Sequence, residues 1–436
     1  MMRNLFASLL FATMMALSSS VSAMLSMELT QGVAGAVPIA VVPFANAEKQ
    51  SQDVSTVISN DLQNSGRFKV YGKSALKEFP TNAAGVSVDY FRKLGTDNVV
   101  VGKVTALGGD RYDVSFELLN MYHGKDADKV VLKKSYQISG RELRAVAHHI
   151  SDLVYQSITG VRGVFSTRIA YVVIQRAAKG GKRYILEVSD QDGYNPRPML
   201  NSPEPVMSPS WSPDGKKVAY VSFENRRAGI YQQNVQTGSR KLISEFPGIN
   251  QAPAWSPDGR KMALVLSKSG SPNIYVMDVG SRQLTQLTKD FYINTEPAWS
   301  PDGRSLLFTS NRSGGPQIYQ INLGSKKVSR VSFDGNYNAR PAFTPDGNYI
   351  ALIHQVSGIF KIGMLDLDSG TLRVLTSTAG DSASPSVAPN GSMVLYDTRA
   401  GGRNMLGMVS SDGRVQLLLP ARNGDAQDPA WSPFEA

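Results

Sequence analysis

The sequence predicts an all-β, six-bladed β-propeller preceded by a small α/β domain. Three observations predict it: a segment repeated six times at a constant 44-residue interval, a change of patterning near Gly160, and a C-terminus that supplies a strand the first repeat lacks. The repeats are 209–220 (PSWSPDGKKVAY), 253–264 (PAWSPDGRKMAL), 297–308 (PAWSPDGRSLLF), 341–352 (PAFTPDGNYIAL), 385–396 (PSVAPNGSMVLY) and 429–433 (PAWSP). A second element keeps step: Ile230-Tyr231, Ile274-Tyr275, Ile318-Tyr319 and then Ile362.

Each repeat has a readable physics. Trp211, Trp255, Trp299 and Trp431 share one phase, with Phe343 and Val387 in the same slot, as large fillers between neighbouring units would. Pro-Asp-Gly makes a tight turn: Pro presets φ, Asp bonds the backbone two residues on, and Gly takes the left-handed position. An alternating strand follows, then the Ile-Tyr strand, a Gly turn and a last strand. Four short strands in about 44 residues mark a propeller blade. A helical repeat of this length fails, because Gly and Pro recur inside every unit and the runs alternate with period two. The first unit starts at Arg168 with what is the second strand elsewhere, so 429–433 completes that blade and closes the ring, removing two free edges.

Residues 37–160 mix both periods. Residues 37–44 (VPIAVVPF) read as a buried strand. Residues 53–66 place Val54, Val57, Ile58 and Leu62 at helical spacing and end at Gly66. Residues 98–107 and 111–121 read as a hairpin around Gly108-Gly109-Asp110, and 141–159 as an amphipathic helix. Ahead of them, 1–23 has one basic residue, Arg3, an apolar run and small residues at Val21 and Ala23. That pattern predicts a cleaved secretory signal with its junction at Ala23–Met24, since the run is too short for a bilayer core of ~30 Å. The expected division is thus 1–23 signal, 24–36 partner-binding segment, 37–160 α/β domain and 161–436 propeller.

Composition excludes several functions. With no cysteine, disulfides, thiolate metal sites and cysteine nucleophiles are out. The four histidines form no H-E-x-x-H pattern, no G-x-S-x-G elbow occurs, and no calcium loop of the D-x-D-x-D-G kind is present. The recurring Asp214, Asp258, Asp302 and Asp346 are explained by turn chemistry. No cofactor, metal site or catalytic residue is expected. The net charge of +10 resides mainly after Gly160. It lies beside turns, without the basic runs and interleaved aromatics of a nucleic-acid binder.

The motifs together resemble the TolB family, periplasmic components of the Tol–Pal system of Gram-negative envelopes. PIAVVPF, DLQNSGRF, VVGKV, the junction ITGVRGVFSTRIAYVV (158–173), SDQDGYN (189–195), NTEPAWSPDG (294–303) and the terminal PAWSP carry the resemblance, which covers nearly the whole chain. It implies a monomeric periplasmic adaptor that maintains outer-membrane integrity and supports constriction at cell division. Its implied partners are the peptidoglycan-associated lipoprotein Pal, on the propeller, and TolA, on the N-terminal segment. For Pal, the implied positions are Met207, Asn250, Gln251, Asn294, Thr295 and Glu296, with Asn338 and Arg340 added by repeat symmetry. For TolA they are Leu25, Met27, Glu28, Leu29, Thr30, Gly32 and Val33, whose alternation suits adding a strand to a partner's sheet. Glu28 and Thr30 stand where the family often has an apolar and an acidic residue. The competing expectation is an exported propeller with a hydrolase-gating or carbohydrate-binding role.

Overall fold

The computed structural model describes residues 26–29, 35–46, 52–122, 129–176, 180–419 and 424–435. Residues 1–25, with the expected signal and its Ala23–Met24 junction, lie outside them, as do Thr30, Gly32 and Val33 of the N-terminal segment.

Strand β1 (Ser26–Leu29) stands apart from the α/β domain that follows it. That domain is built on β2 (Val37–Val41), β3 (Phe68–Tyr71), β4 (Asn98–Gly108), β5 (Arg111–Asn120) and β6 (Val130–Ser139). Their order is β3-β2-β4-β5-β6, with β2 parallel to β3 and β4, and the remaining pairs antiparallel. Helices α1 (Val54–Asn64) and α3 (Leu143–Thr159) bury Ile58, Leu62, Ile150 and Val154 against Ile39, Val41, Val100 and Phe116. Helix α2 (Val88–Leu94) covers the opposite face, where Phe91 meets Ala40, Val42, Val99 and Val101. The central strands are buried on both faces, which is why β2 reads as an unbroken apolar run. Asp53 caps α1 through Ser55 and Thr56, and Gly160 ends α3 at φ +76°.

The remainder forms six blades of four strands, with one added strand. The C-terminal strand Asp425–Trp431 pairs antiparallel with Arg168–Arg176, Trp431 opposite Ile169, so the last strand of the chain is the innermost strand of blade 1. Blades 2 to 6 follow in chain order, each beginning with an inner strand: Val206–Trp211, Asn250–Trp255, Asn294–Trp299, Asn338–Phe343 and Ser382–Val387. The tryptophans are buried between blades. Trp211 Nε1 donates to Ala430 O at 3.1 Å and Trp299 Nε1 to Ala254 O at 3.0 Å, each bond crossing to the preceding blade.

Strand β1 lies antiparallel on the outer strand of blade 6, Ser26 opposite Leu418 and Leu29 opposite Val415. The segment expected to extend a partner's sheet extends the chain's own, because Val415–Leu419 would otherwise be an open edge.

The α/β domain sits against blades 1 and 6. Arg144 of α3 bonds Asp192, and its guanidinium lies 3.9 Å over the Tyr194 ring, on the loop after Asp190 in blade 1. Asp152 accepts from the Phe165 and Ser166 amides at the start of the propeller.

Candidate functional site: the propeller funnel

The six inner strands share one irregularity. Each ladder shifts register immediately before its Pro, and the residue at the shift is left-handed: Ser208, Ala252, Glu296, Arg340, Ser384 and Asp428, all with φ between 47° and 54°. They recur at 44-residue intervals. Proline at the next position keeps each out of the right-handed helical region, and the bulge turns its side chain from the ladder toward the ring axis. The result is a funnel of about 620 Å³ lined by all six.

The bulges leave amides that need acceptors, and acidic side chains of the ring supply them. Glu296 Oε2 accepts from Arg340 N at 2.9 Å and from Thr309 Oγ1 at 2.7 Å. Asp428 Oδ2 accepts from Ser208 N at 3.2 Å. Arg340 crosses the funnel wall to Ser384 Oγ at 2.6 Å and Asp428 Oδ1 at 2.8 Å. Burial alone would weaken the Arg340 charge, but Asp428 and Glu296 outweigh it and raise its pKa. Burial likewise pushes Asp428 up, and Arg340 holds it below the usual carboxylate range. Asp397, behind the ring, is raised by burial, and its Oδ1 has no hydrogen-bond partner among the described residues.

Of the eight positions expected on this face, Met207, Gln251, Thr295, Glu296 and Arg340 line the funnel. Asn250, Asn294 and Asn338 do not: each is fully buried at the start of its inner strand. Asn250 accepts from Ser244 Oγ and Phe246 N; Asn294 donates to Asp290 and Asn273; Asn338 donates to Gln317 and Asp334 O. They pin the loops that enter the blades. Met27, Glu28 and Leu29 fall in β1. Leu25, Thr30, Gly32 and Val33 lie outside the described residues.

Sequence reasoning missed Ser208, Ala252, Ser384 and Asp428. The signal was available, since each immediately precedes the repeated Pro. Asp397 carries no such signal.

The funnel offers carboxylates, one guanidinium, hydroxyls and proline edges, but no residue set resembling a nucleophile with its base. Among the described residues, His and acidic ligand atoms gather within 4.8 Å only at Asp61, His148 and Asp192, at the domain joint. There the Arg144 guanidinium already bonds Asp192. Also among the described residues, no helix is long and apolar enough to cross a membrane.

Fold and site together define a two-domain propeller protein whose ring is closed by its own C-terminal strand and whose inner strands line a funnel of mixed polar and apolar character. The chain belongs to the TolB family. Residues 155–435 match the TolB beta propeller domain and 25–127 the TolB amino-terminal domain. A solved structure, TolB from Acinetobacter baumannii, is similar over 94% of this chain and all of its own, at 38% identity and a TM-score of 0.84. The Tol-Pal system protein TolB of Coxiella burnetii is 49% identical over 232 residues, 52% of each chain. That of Legionella pneumophila (strain Paris) is 50% identical over 229 residues, again 52% of each. The matched stretch spans about half the length of these curated relatives.

Proposed function

We propose that this protein is a non-enzymatic periplasmic adaptor of the Tol–Pal system. Its funnel binds Pal, its N-terminal segment binds TolA, and the two contacts serve outer-membrane integrity and constriction at division. The observation that carries the reading is the convergence of Thr295, Glu296, Arg340 and Asp428 on one open funnel with no catalytic constellation. A recessed mouth ringed by fixed polar groups suits a protuberance of a folded partner. Family membership and the relatives' names favour the same assignment. Engaging TolA by strand addition requires β1 to exchange its ladder on blade 6 for the partner's edge.

The test is calorimetry of the mature protein with the soluble domain of Pal. Wild type is expected to bind. Thr295→Ala is expected to weaken binding several-fold. Glu296→Ala is expected to weaken it further, since it also removes the acceptor for Thr309 Oγ1 and one of the two acceptors for Arg340 N. Absence of binding by the intact protein rejects the adaptor reading, whereas unchanged affinity in both variants rejects the funnel as the site.

A further inference from the structure

The loops that enter blades 3, 4 and 5 carry Phe246-Pro247-Gly248-Ile249, Phe291-Tyr292-Ile293 and Phe333, and each runs into an inner strand that lines the funnel. Phe291, 99% exposed, and Phe333, 70% exposed, are the two most exposed large hydrophobic side chains among the described residues; Tyr292 and Ile293 are about half exposed. A soluble surface seldom leaves such side chains clustered without a use.

Phe291 is not bare because its loop is loose. Asp290 Oδ1 accepts from Asn294 Nδ2 at 2.6 Å and from Tyr292 N at 3.3 Å, while Oδ2 holds Arg312 Nη2 at 3.0 Å. Asp290 O accepts from Ser271 Oγ and Asn273 Nδ2, and Ile293 N donates to Asn311 Oδ1. The loop is tied on both sides of Phe291, and the ring projects from a fixed turn. An aromatic group held this way needs little further ordering on binding, which is the property of a preorganised anchor.

We infer that Phe291, supported by Tyr292, Ile293 and Phe333, is an apolar anchor for the same protein that enters the funnel. This rests on the adaptor reading above. The loop continues without a break into Thr295 and Glu296, which line the funnel, so a partner held at those two residues lies close to Phe291. Lys289 and Arg330 flank the cluster, and Arg330 lies over the Phe333 ring at 5.1 Å. The surface that fits is therefore an apolar pocket bordered by carboxylates, beside a protuberance that fills the funnel.

The experiment titrates the soluble domain of Pal into wild type, Phe291→Ser and Phe333→Ser, with urea unfolding midpoints measured in parallel. Phe291→Ser is expected to bind at least tenfold more weakly and Phe333→Ser several-fold more weakly, both at the wild-type midpoint because the rings are exposed. Wild-type affinity in Phe291→Ser overturns the anchor while leaving the funnel reading intact. No binding by wild type overturns both. Sedimentation of wild type alone supplies the second arm: a concentration-dependent dimer that Phe291→Ser abolishes would assign the anchor to a second copy and overturn the inference.

Discussion

Trp255 and Trp299 occupy equivalent slots in adjacent blades and are equally buried, but their indole nitrogens differ. Trp299 Nε1 reaches Ala254 O, whereas Trp255 Nε1 is buried with no hydrogen-bond partner among the described residues. Replacing either by Phe removes similar apolar area, so the difference between the two variants isolates the N–H. Trp299→Phe loses a bond and strands an acceptor, whereas Trp255→Phe removes an unsatisfied donor. Trp299→Phe is therefore expected to cost about 1 kcal/mol more than Trp255→Phe. Urea unfolding of the two variants measures this, and equal midpoints would reject it. The filler role was legible from the repeat phase, because the slot that recurs at 44 holds a large apolar side chain in every unit, Trp in four and Phe343 and Val387 in the others. The missing partner was not, since it depends on the approach of the neighbouring blade.

Among the elements, the Pro-Asp-Gly turns are the most uniform. In blade 4, Ser300 Oγ donates to Asp302 Oδ1 at 2.6 Å and accepts from Ser305 N at 3.0 Å, and Arg304 N donates to the same Asp302 oxygen. Asp258 shows the same set around Ser256. The Ser hydroxyls and the Arg amides hold both carboxyls below the usual carboxylate range. A depressed folded pKa contributes stability above the unfolded value near 4, and that stability is lost as pH falls through the folded value. Ser300→Ala is expected to destabilise by about 1 kcal/mol at pH 7, for the hydrogen bonds its hydroxyl makes with Asp302 and Ser305 N, and to flatten the acid limb of the stability curve below pH 4. Urea midpoints at pH 7 and pH 3.5 test this, and an acid limb as steep as wild type would reject it. These turns, the blade count and the closing strand were readable because local turn chemistry repeats in the sequence. Helix α2 was not: its seven residues span too few turns to show a period, and Ser87 and Gly95 alone mark its ends. The three buried asparagines were legible as recurring residues but not as loop pins, because their partners lie up to 21 positions away. The pairing of β1 with blade 6 was equally hidden, since it joins residues nearly 400 positions apart.

At the scale of the molecule, the two domains meet through a charged joint whose sequence parts are distant. His148 Nδ1 lies 2.8 Å from Asp61 Oδ2, linking α3 to α1, and Asp192 of blade 1 faces the same imidazole. Burial disfavours the imidazolium, but the Asp61 charge and hydrogen bond, with Asp192, override it against the opposing Arg144 charge. The His148 pKa is raised to about 9. A group raised on folding contributes its stability in full below its unfolded value near 6.5, and loses it as pH climbs through the folded value. The joint is thus charged at neutral pH, and its contribution to stability falls from about pH 6.5 to about pH 9, above which Asp61 and Asp192 face a neutral ring. His148→Gln keeps a hydrogen-bonding group of similar reach but cannot carry the charge. It is expected to cost about 2 kcal/mol at pH 7, and its further loss of stability between pH 7 and 9.5 should be smaller than that of wild type by a similar amount. Arg144→Gln, which breaks the Asp192 pair and removes the charge that opposes the imidazolium, should keep an alkaline loss and move it to higher pH. Thermal unfolding of the three proteins at the two pH values distinguishes these outcomes. An alkaline loss in His148→Gln equal to that of wild type would show that the pH dependence arises elsewhere. Because Asp190 and Asp192 belong to blade 1 while Asp61, Arg144 and His148 belong to the α/β domain, this one cluster ties the stability of the domain contact to the charge of a single imidazole.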